Sequence, residues 1–285
     1  MTEGYAGWKA LIDLALAEDI GSGDLTTLAT VPVGTSATGV MVAKAPGVIS
    51  GLDAAAYALG QVDPAIVFTP KVADGDAVQP GDVIAELSGP ARSILTGERT
   101  ALNLLQRLSG VATIAAQFVA EVAGTGATIV DTRKTTPGLR ELEKAAVRHG
   151  GAQNHRFGLS DGVLIKDNHL AAIGGPDRVT KAVQAARRRA PPTVRVEVEV
   201  TTLAEVEEAA AAGADIIMFD NMSTEMMKEA VAIVAKRATT EASGGVRLET
   251  VRKIAETGVD LVSVGALTHS APSVDISLNF ALGDN

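Results

Sequence analysis

Cysteine is absent from this 285-residue chain, which excludes disulfides, thiolate metal sites and a cysteine nucleophile. Aromatic residues make up only 3% against 46% hydrophobic residues, so Ala, Val, Ile and Leu must pack the core. No run reaches the ~18 apolar residues of a membrane-spanning helix. Residues 1–9 lack the charged and apolar regions of a secretory signal. The expectation is a cytoplasmic protein without membrane contact. Positive charge is in deficit: the formal net charge is −9, which argues against nonspecific nucleic-acid binding. With only 21% charged residues, the chain has apolar material for a barrel-sized domain plus a smaller one.

Against this acidic background, the run Asp131-Thr132-Arg133-Lys134-Thr135-Thr136-Pro137-Gly138-Leu139-Arg140 concentrates charge directly after the strand-like Ala127-Thr128-Ile129-Val130. In α/β sheets and barrels, ligands bind at the carboxyl ends of strands. An isolated cluster of this kind is ordinarily a solvated loop. Here one acid beside two bases at a strand end suits a small polyanion. Pro137 fits the first turn of a following helix, where its missing donor costs nothing.

Residues 1 to about 96 differ from the rest of the chain. A short amphipathic helix is expected over residues 8–17, strand alternation over 37–50 and a brief helix over 53–60. Residues 71–87 contain strands separated by Asp-Gly and Pro-Gly turn signals. They are similar to the hairpins of biotinyl and lipoyl carrier domains. The turn Asp74-Gly75-Asp76 lacks the exposed lysine a carrier needs, so a structural role is expected. Apolar residues recur at helical spacing over 97–123, predicting a long bridging helix.

Strand and helix then alternate. Strands are predicted at 127–131, 162–166, 194–200, 215–220, 239–243 and 261–265, with helices at 176–189, 203–212, 224–237 and 248–257. This pattern predicts an α/β fold. Six strands are too few for an eight-stranded closure, so the expected architecture is an irregular, partly open α/β barrel with a smaller N-terminal α+β sandwich domain. The expected division is 1–107 for the N-terminal domain, 108–272 for the barrel and 273–285 for a tail packing back on the N-terminal domain.

Polar residues gather at the predicted strand ends. In Val194-Arg195-Val196-Glu197-Val198-Glu199-Val200, period-two alternation sets valines on one face and Arg195, Glu197 and Glu199 on the other. Valines packed against surrounding helices would turn both carboxylates into the barrel. An antiparallel edge strand with one wet face is the alternative. Asp220-Asn221 and Lys166-Asp167-Asn168-His169 close two further strands. The loops Ser243-Gly244-Gly245 and Val264-Gly265-Ala266 each lie between a strand and a helix, where glycine lets phosphate approach backbone N–H groups. His155-Arg156 adds cationic and hydrogen-bonding capacity, whereas Arg99 reads most simply as a surface residue of the long helix. Glu18-Asp19, faintly similar to the acidic pair of type I phosphoribosyltransferases, follows a helix rather than a strand and is set aside.

Taken in order, the segments 131–140, 150–156 (GGAQNHR), 164–169 (LIKDNH), 197–200, 220–221, 241–245 (EASGG) and 264–270 (VGALTHS) resemble the quinolinate phosphoribosyltransferase family. Residues 18–26 and 98–100 match too, so the resemblance covers nearly the whole chain. It implies transfer of phosphoribosyl from 5-phosphoribosyl-1-pyrophosphate to quinolinate with Mg²⁺, giving nicotinate mononucleotide, pyrophosphate and CO₂. It also implies a homodimer, or a higher oligomer built on it, in which Arg99 reaches the partner's site. On the same resemblance Thr132, Arg133, His155, Arg156 and Lys166 surround the quinolinate carboxylates. Lys134, Ser243, Gly244, Gly245, Val264, Gly265 and Ala266 meet phosphates, with His269 nearby. Glu199 and Asp220 sit at the ribose and the metal, and Lys134, Lys166, Glu199 and Asp220 form the catalytic set. Relatives often carry tyrosine at Ala145 and glycine at Ala152. Three rival readings are a phosphoribosyltransferase for nicotinate or another aromatic acid, a Schiff-base barrel aldolase using Lys166, and a noncatalytic module retaining the fold.

Overall fold

The computed structural model describes residues 7–282. The chain divides into two compact units. The first takes the described parts of Met1–Ala116 and Leu267–Asn285 together with Thr135–Gly151. The second takes Gln117–Lys134 and Ala152–Ala266. Both units are therefore discontinuous in sequence, and the charged run starting at Asp131 is shared between them.

The first unit begins with α1 (Gly7–Ile20), α2 (Leu25–Thr30), β1 (Ser36–Ala43), β2 (Gly47–Val48) and α3 (Leu52–Val62). It continues with β3 (Val67–Pro70), β4 (Ala77–Val78), β5 (Val83–Pro90) and α4 (Ala91–Glu121), whose last residues fall in the second unit. An antiparallel sheet of order β12-β1-β5-β3, with β12 (Ile276–Leu282) from the C-terminal segment, forms its framework. Ile276 pairs with Ala43 and Leu278 with Met41, so the tail returns to the N-terminal part. Asp74 accepts from the N–H groups of Gly51 (2.9 Å) and Leu52 (3.2 Å) at the start of α3, a structural use of the carrier-like turn.

The helix α4 starts six residues before its predicted position at Gly97. That glycine is interior to the helix rather than its start. A Cβ there would lie 3.2 Å from Leu59 and Val62, so the residue permits close packing on α3. Leu102, Leu105, Leu108, Val111, Ala112 and Ala115 on α4 are buried as the spacing predicts.

The second unit is the parallel sheet with its helices. In chain order it contains β6 (Thr128–Val130), β7 (Val163–Ile165), α6 (Asp167–Ile173), α7 (Arg178–Arg189) and β8 (Val196–Val200). Next come α8 (Leu203–Ala212), β9 (Ile216–Asp220), α9 (Thr224–Val234), β10 (Thr239–Ser243), α10 (Leu248–Ala255) and β11 (Leu261–Ser263). The intervening α5 (Arg140–His149) belongs to the first unit and runs unbroken through Ala145. The short α11 (Ala266–His269) follows β11. The short helices α2 and α6 were not among the predicted elements, since neither has a long apolar period; α5 and α11 stand where a helix was expected after Pro137 and after the 264–266 loop, although Pro137 precedes the Leu139 N-cap of α5 instead of sitting in its first turn.

Strand order is β6-β11-β10-β9-β8-β7, parallel throughout. No pairing joins β6 to β7 among the described residues, and beyond β6 only the bridge from Val130 to Gln153 continues the sheet. The result is the partly open barrel. Its inner and outer faces follow the period-two rule. Val196, Val198 and Val200 of β8, with Ile217 and Phe219 of β9, are buried. The alternate residues Glu197, Glu199, Met218, Asp220, Glu241 and Ser243 line cavities on the inner side.

Candidate active site

One cavity at the carboxyl ends of these strands gathers most of the predicted site residues. Thr132, Arg133 and Lys134 border it after β6, and His155 and Arg156 border it from the segment following Gln153. Lys166, Glu199, Asp220 and Ser243 close it from β7, β8, β9 and β10. Register explains the convergence: Ser243 is paired with Asp220 and Glu199 with Met218. Strand-end residues therefore meet at one level.

Each wall is tied down locally. Asp131 is fully buried. It accepts from the His155 N–H at 2.8 Å and from Asn154 Nδ2 at 2.7 Å, so it fixes the segment presenting His155 and Arg156. Thr132 Oγ1 accepts from the Lys134 N–H at 3.0 Å. Arg156 Nη1 donates to the Gly162 carbonyl at 2.9 Å. Lys166 is the N-cap residue of α6, and its N–H donates to His169 Nδ1 at 2.8 Å.

The electrostatics are arranged by sign. Burial and the neighbouring Arg133 guanidinium both act against the charge on Arg156, lowering its pKa. The Glu197 and Asp161 carboxylates offset part of that pressure, and an anion bound in the cavity would relieve more of it. On the other wall, burial lifts the Glu199 carboxyl above the ordinary glutamate range, and the nearby Asp220 carboxylate adds to that rise while Lys166 opposes it. Two oxygen donors this close suit a hard divalent cation such as Mg²⁺.

The Ser243–Gly245 loop makes its close approach through Gly244. This residue has φ +96°, and a Cβ would fall 2.2 Å from Asn221 Oδ1 and 3.0 Å from the Asn221 backbone nitrogen. Asn221, itself at φ 52°, donates its N–H to the Ser243 carbonyl at 3.0 Å. Its Nδ2 donates to Asp220 Oδ2 at 2.8 Å. The predicted second loop follows Ser263, which lines the cavity; the Val264 N–H donates to the Val130 carbonyl at 2.9 Å, while Gly265 and Ala266 are half-buried. Arg99 and His269 belong to the first unit. Arg99 is exposed on α4, and His269 is exposed with Nδ1 2.6 Å from Ser270 Oγ.

Three residues with evident roles were not among the predicted set. Asn221 carries Gly244's contact to Asp220. Glu241 lines the cavity while fully buried, and Glu197 reaches His155 at 3.0 Å. Alternation in Thr239-Thr240-Glu241-Ala242-Ser243 places Glu241 on Ser243's face, a signal the sequence does contain.

Two family descriptions, the N-terminal and C-terminal domains of quinolinate phosphoribosyl transferase, match residues 24–109 and 111–279. The chain belongs to the quinolinate phosphoribosyltransferase family. A probable nicotinate-nucleotide pyrophosphorylase [carboxylating] of Bacillus subtilis (strain 168) is 44% identical over 97% of this chain and 94% of its own length. The nicotinate-nucleotide pyrophosphorylase [carboxylating] of Mycobacterium leprae (strain TN) is 46% identical over 93% and 94%. Among solved structures, NadC from Streptococcus pyogenes superposes with TM-score 0.91 at 43% identity, covering 96% of each chain. The Ehrlichia chaffeensis nicotinate-nucleotide pyrophosphorylase gives 0.91 at 35% identity, covering 99% and 100%. The quinolinate phosphoribosyltransferase fold thus spans nearly all of the chain. No helix among the described residues is long and apolar enough to cross a membrane.

Proposed function

We infer that the protein is a quinolinate phosphoribosyltransferase, joining quinolinate to 5-phosphoribosyl-1-pyrophosphate with loss of pyrophosphate and CO₂. The observation carrying this reading is the division of one cavity into a wall of opposed guanidiniums, Arg133 and Arg156, and a wall of opposed carboxylates, Glu199 and Asp220. A diacid needs the first wall; a ribose centre that becomes positive needs the second.

Arg133 and Arg156 bind the carboxylates of quinolinate in charge-assisted bonds, with Thr132, His155 and Lys166 completing that side. The ring nitrogen is thereby aimed at the anomeric carbon, which removes orientational entropy from the barrier. As the C–O bond to pyrophosphate breaks, Glu199 and Asp220 stabilise the positive charge developing on the ribose. Lys134 and the loops Ser243–Gly245 and 264–266 take the phosphates. Glu199 and Asp220 would help hold Mg²⁺, largely through substrate and water, and the ion when bound would supply charge neutralisation for pyrophosphate. The ribosylated nitrogen then carries a positive charge that stabilises the ring carbanion left when CO₂ departs. The protein's part in that step is to keep the ring fixed.

The reading includes a cytoplasmic homodimer with shared sites, supported by the exposure of Arg99 and of the apolar Leu14, Leu25, Leu28 and Val33 in the first unit. The experiment is an acceptor comparison under Mg²⁺ and 5-phosphoribosyl-1-pyrophosphate. Quinolinate should be consumed and nicotinate should not; turnover of nicotinate alone would reassign the acceptor. Borohydride trapping should give no adduct at Lys166, and a covalent adduct would favour aldolase chemistry.

A further inference from the structure

The inner face of the barrel holds a second polar constellation behind the substrate-facing wall. Glu197 on β8 and Glu241 on β10 flank β9, paired with Ile216 and Met218 respectively. Their side chains meet His155 from the segment after Gln153. His155 Nε2 lies 3.0 Å from Glu197 Oε2 and 3.4 Å from Glu241 Oε2. Glu241 has no exposed surface and Glu197 only 2%. Among the described residues, no other donor satisfies Glu197 Oε1 or either Glu241 oxygen. Two carboxylates placed this way are costly unless a charge compensates them.

We propose that Glu197 and Glu241 are positioning residues that hold His155 as a permanent cation in the wall of the aromatic-acid site. Burial alone would discharge the ring, but the close approach of Glu197 and Glu241 and their negative charges push its pKa up to about 10. The other charges around the ring are Arg156, which acts on Glu197, Arg133, which acts on Arg156, and Asp131, which accepts the His155 N–H. Because His155 also lines the cavity, its charge joins those of Arg133 and Arg156 opposite an incoming diacid. As an imidazolium it is a donor at both nitrogens, so its role does not depend on which tautomer forms. Without that charge Glu197 would keep only Arg156 as a neighbouring cation, and Glu241 would stay fully buried with no other donor within reach, which makes the cation a fixed part of the wall.

The same three side chains offer ligand atoms within 4.8 Å of one another, the geometry of a divalent-metal site with a neutral imidazole. The two arrangements make opposite predictions for the ring. The substrate arm of the proposal rests on the quinolinate reading above; the charge state of the apoenzyme does not, so the two can fail separately.

The test is a ¹⁵N-histidine NMR titration of the substrate-free enzyme from pH 6 to 10.5, with the His155 signal assigned by His155→Gln among the four histidines. His155 should stay doubly protonated beyond pH 9, and Glu241→Gln should bring its midpoint down by at least one pH unit. Adding diamagnetic Zn²⁺ should leave the wild-type ring doubly protonated. Titration of wild-type His155 near 6.5, or stoichiometric metal uptake abolished by Glu241→Gln, would overturn the proposal. The wild-type titration decides the matter even if Glu241→Gln does not fold. In kinetics, Glu241→Gln should raise KM for quinolinate about tenfold above pH 8 while the phosphoribosyl donor's KM stays within about twofold. Equal changes in both constants at every pH would mean a merely structural role.

Discussion

Replacing Gly244 by alanine should damage the phosphate side of the site through one traceable route. The residue sits at φ +96°, where an L-residue costs about 1–2 kcal/mol. The new methyl would lie 2.2 Å from Asn221 Oδ1, 2.5 Å from its Cγ and 3.0 Å from its backbone nitrogen. Rotating Asn221 away would break its 2.8 Å bond to Asp220, and its backbone is held to Ser243. With overpacking of about 1–3 kcal/mol added, the strain totals roughly 2–5 kcal/mol unless the loop shifts. A shift near 1 Å is the cheaper course, and displacement of that size can lower kcat/KM about 100-fold. Gly245 is the control, because it lies at φ +60° and a methyl added there would meet nothing within 4 Å. Steady-state kinetics with the phosphoribosyl donor varied at saturating quinolinate should show the ~100-fold loss in Gly244→Ala and a much smaller one in Gly245→Ala. Equal losses, or a Gly244→Ala enzyme with unaltered donor kinetics, would refute the packing route.

Other expectations follow from single contacts. Arg107 Nη2 donates to the fully buried Glu143 at 2.8 Å, and Glu143 also accepts from the Thr136 N–H and hydroxyl. Arg107→Met should therefore cost about 3–5 kcal/mol, lowering the thermal midpoint by roughly 6–20 °C, and calorimetry showing no change would refute the pairing. Burial and Asp220 raise the Glu199 pKa above its ordinary 4.5, so its ionisation disfavours the folded state as pH rises through that window. Glu199→Gln should melt higher than wild type at pH 7, with the gap closing below pH 4.5, yet lose about 100-fold or more in kcat; a lower midpoint at pH 7 would contradict this. Arg133→Ala should weaken quinolinate binding about 10–100-fold and leave the phosphoribosyl donor nearly unaffected by calorimetric titration. Heterodimers of Arg99→Ala and Lys134→Ala subunits should regain activity if sites are shared, and none if they are not.

The strand-end residues were legible because period two forces alternate side chains onto one face, and parallel strands bring their carboxyl ends to one level. That logic places Lys166, Glu199, Asp220 and Ser243 without any knowledge of strand order. Contacts that depend on strand order or on backbone groups were not legible. Glu197 and Glu241 meet His155 because β9 lies between β8 and β10. Asp131 fixes the His155 segment through a backbone N–H that has no sequence signature. The start of α4 was misplaced because a glycine signals a helix end and a close helix–helix contact equally well. Division of the charged run between two units was invisible for a similar reason: Thr136 is claimed by Glu143, whose own partner Arg107 stands far off in sequence.

The central claim is that a diacid is ribosylated and decarboxylated in this cavity. Quinolinate labelled in the carboxylate that is lost, incubated with enzyme, Mg²⁺ and 5-phosphoribosyl-1-pyrophosphate, tests it most directly. Labelled CO₂ and nicotinate mononucleotide should appear in equal amounts, both formed about 10–100-fold more slowly by Arg133→Ala at sub-saturating quinolinate. Mononucleotide formed from nicotinate without CO₂ release, or no product from quinolinate, would contradict the account.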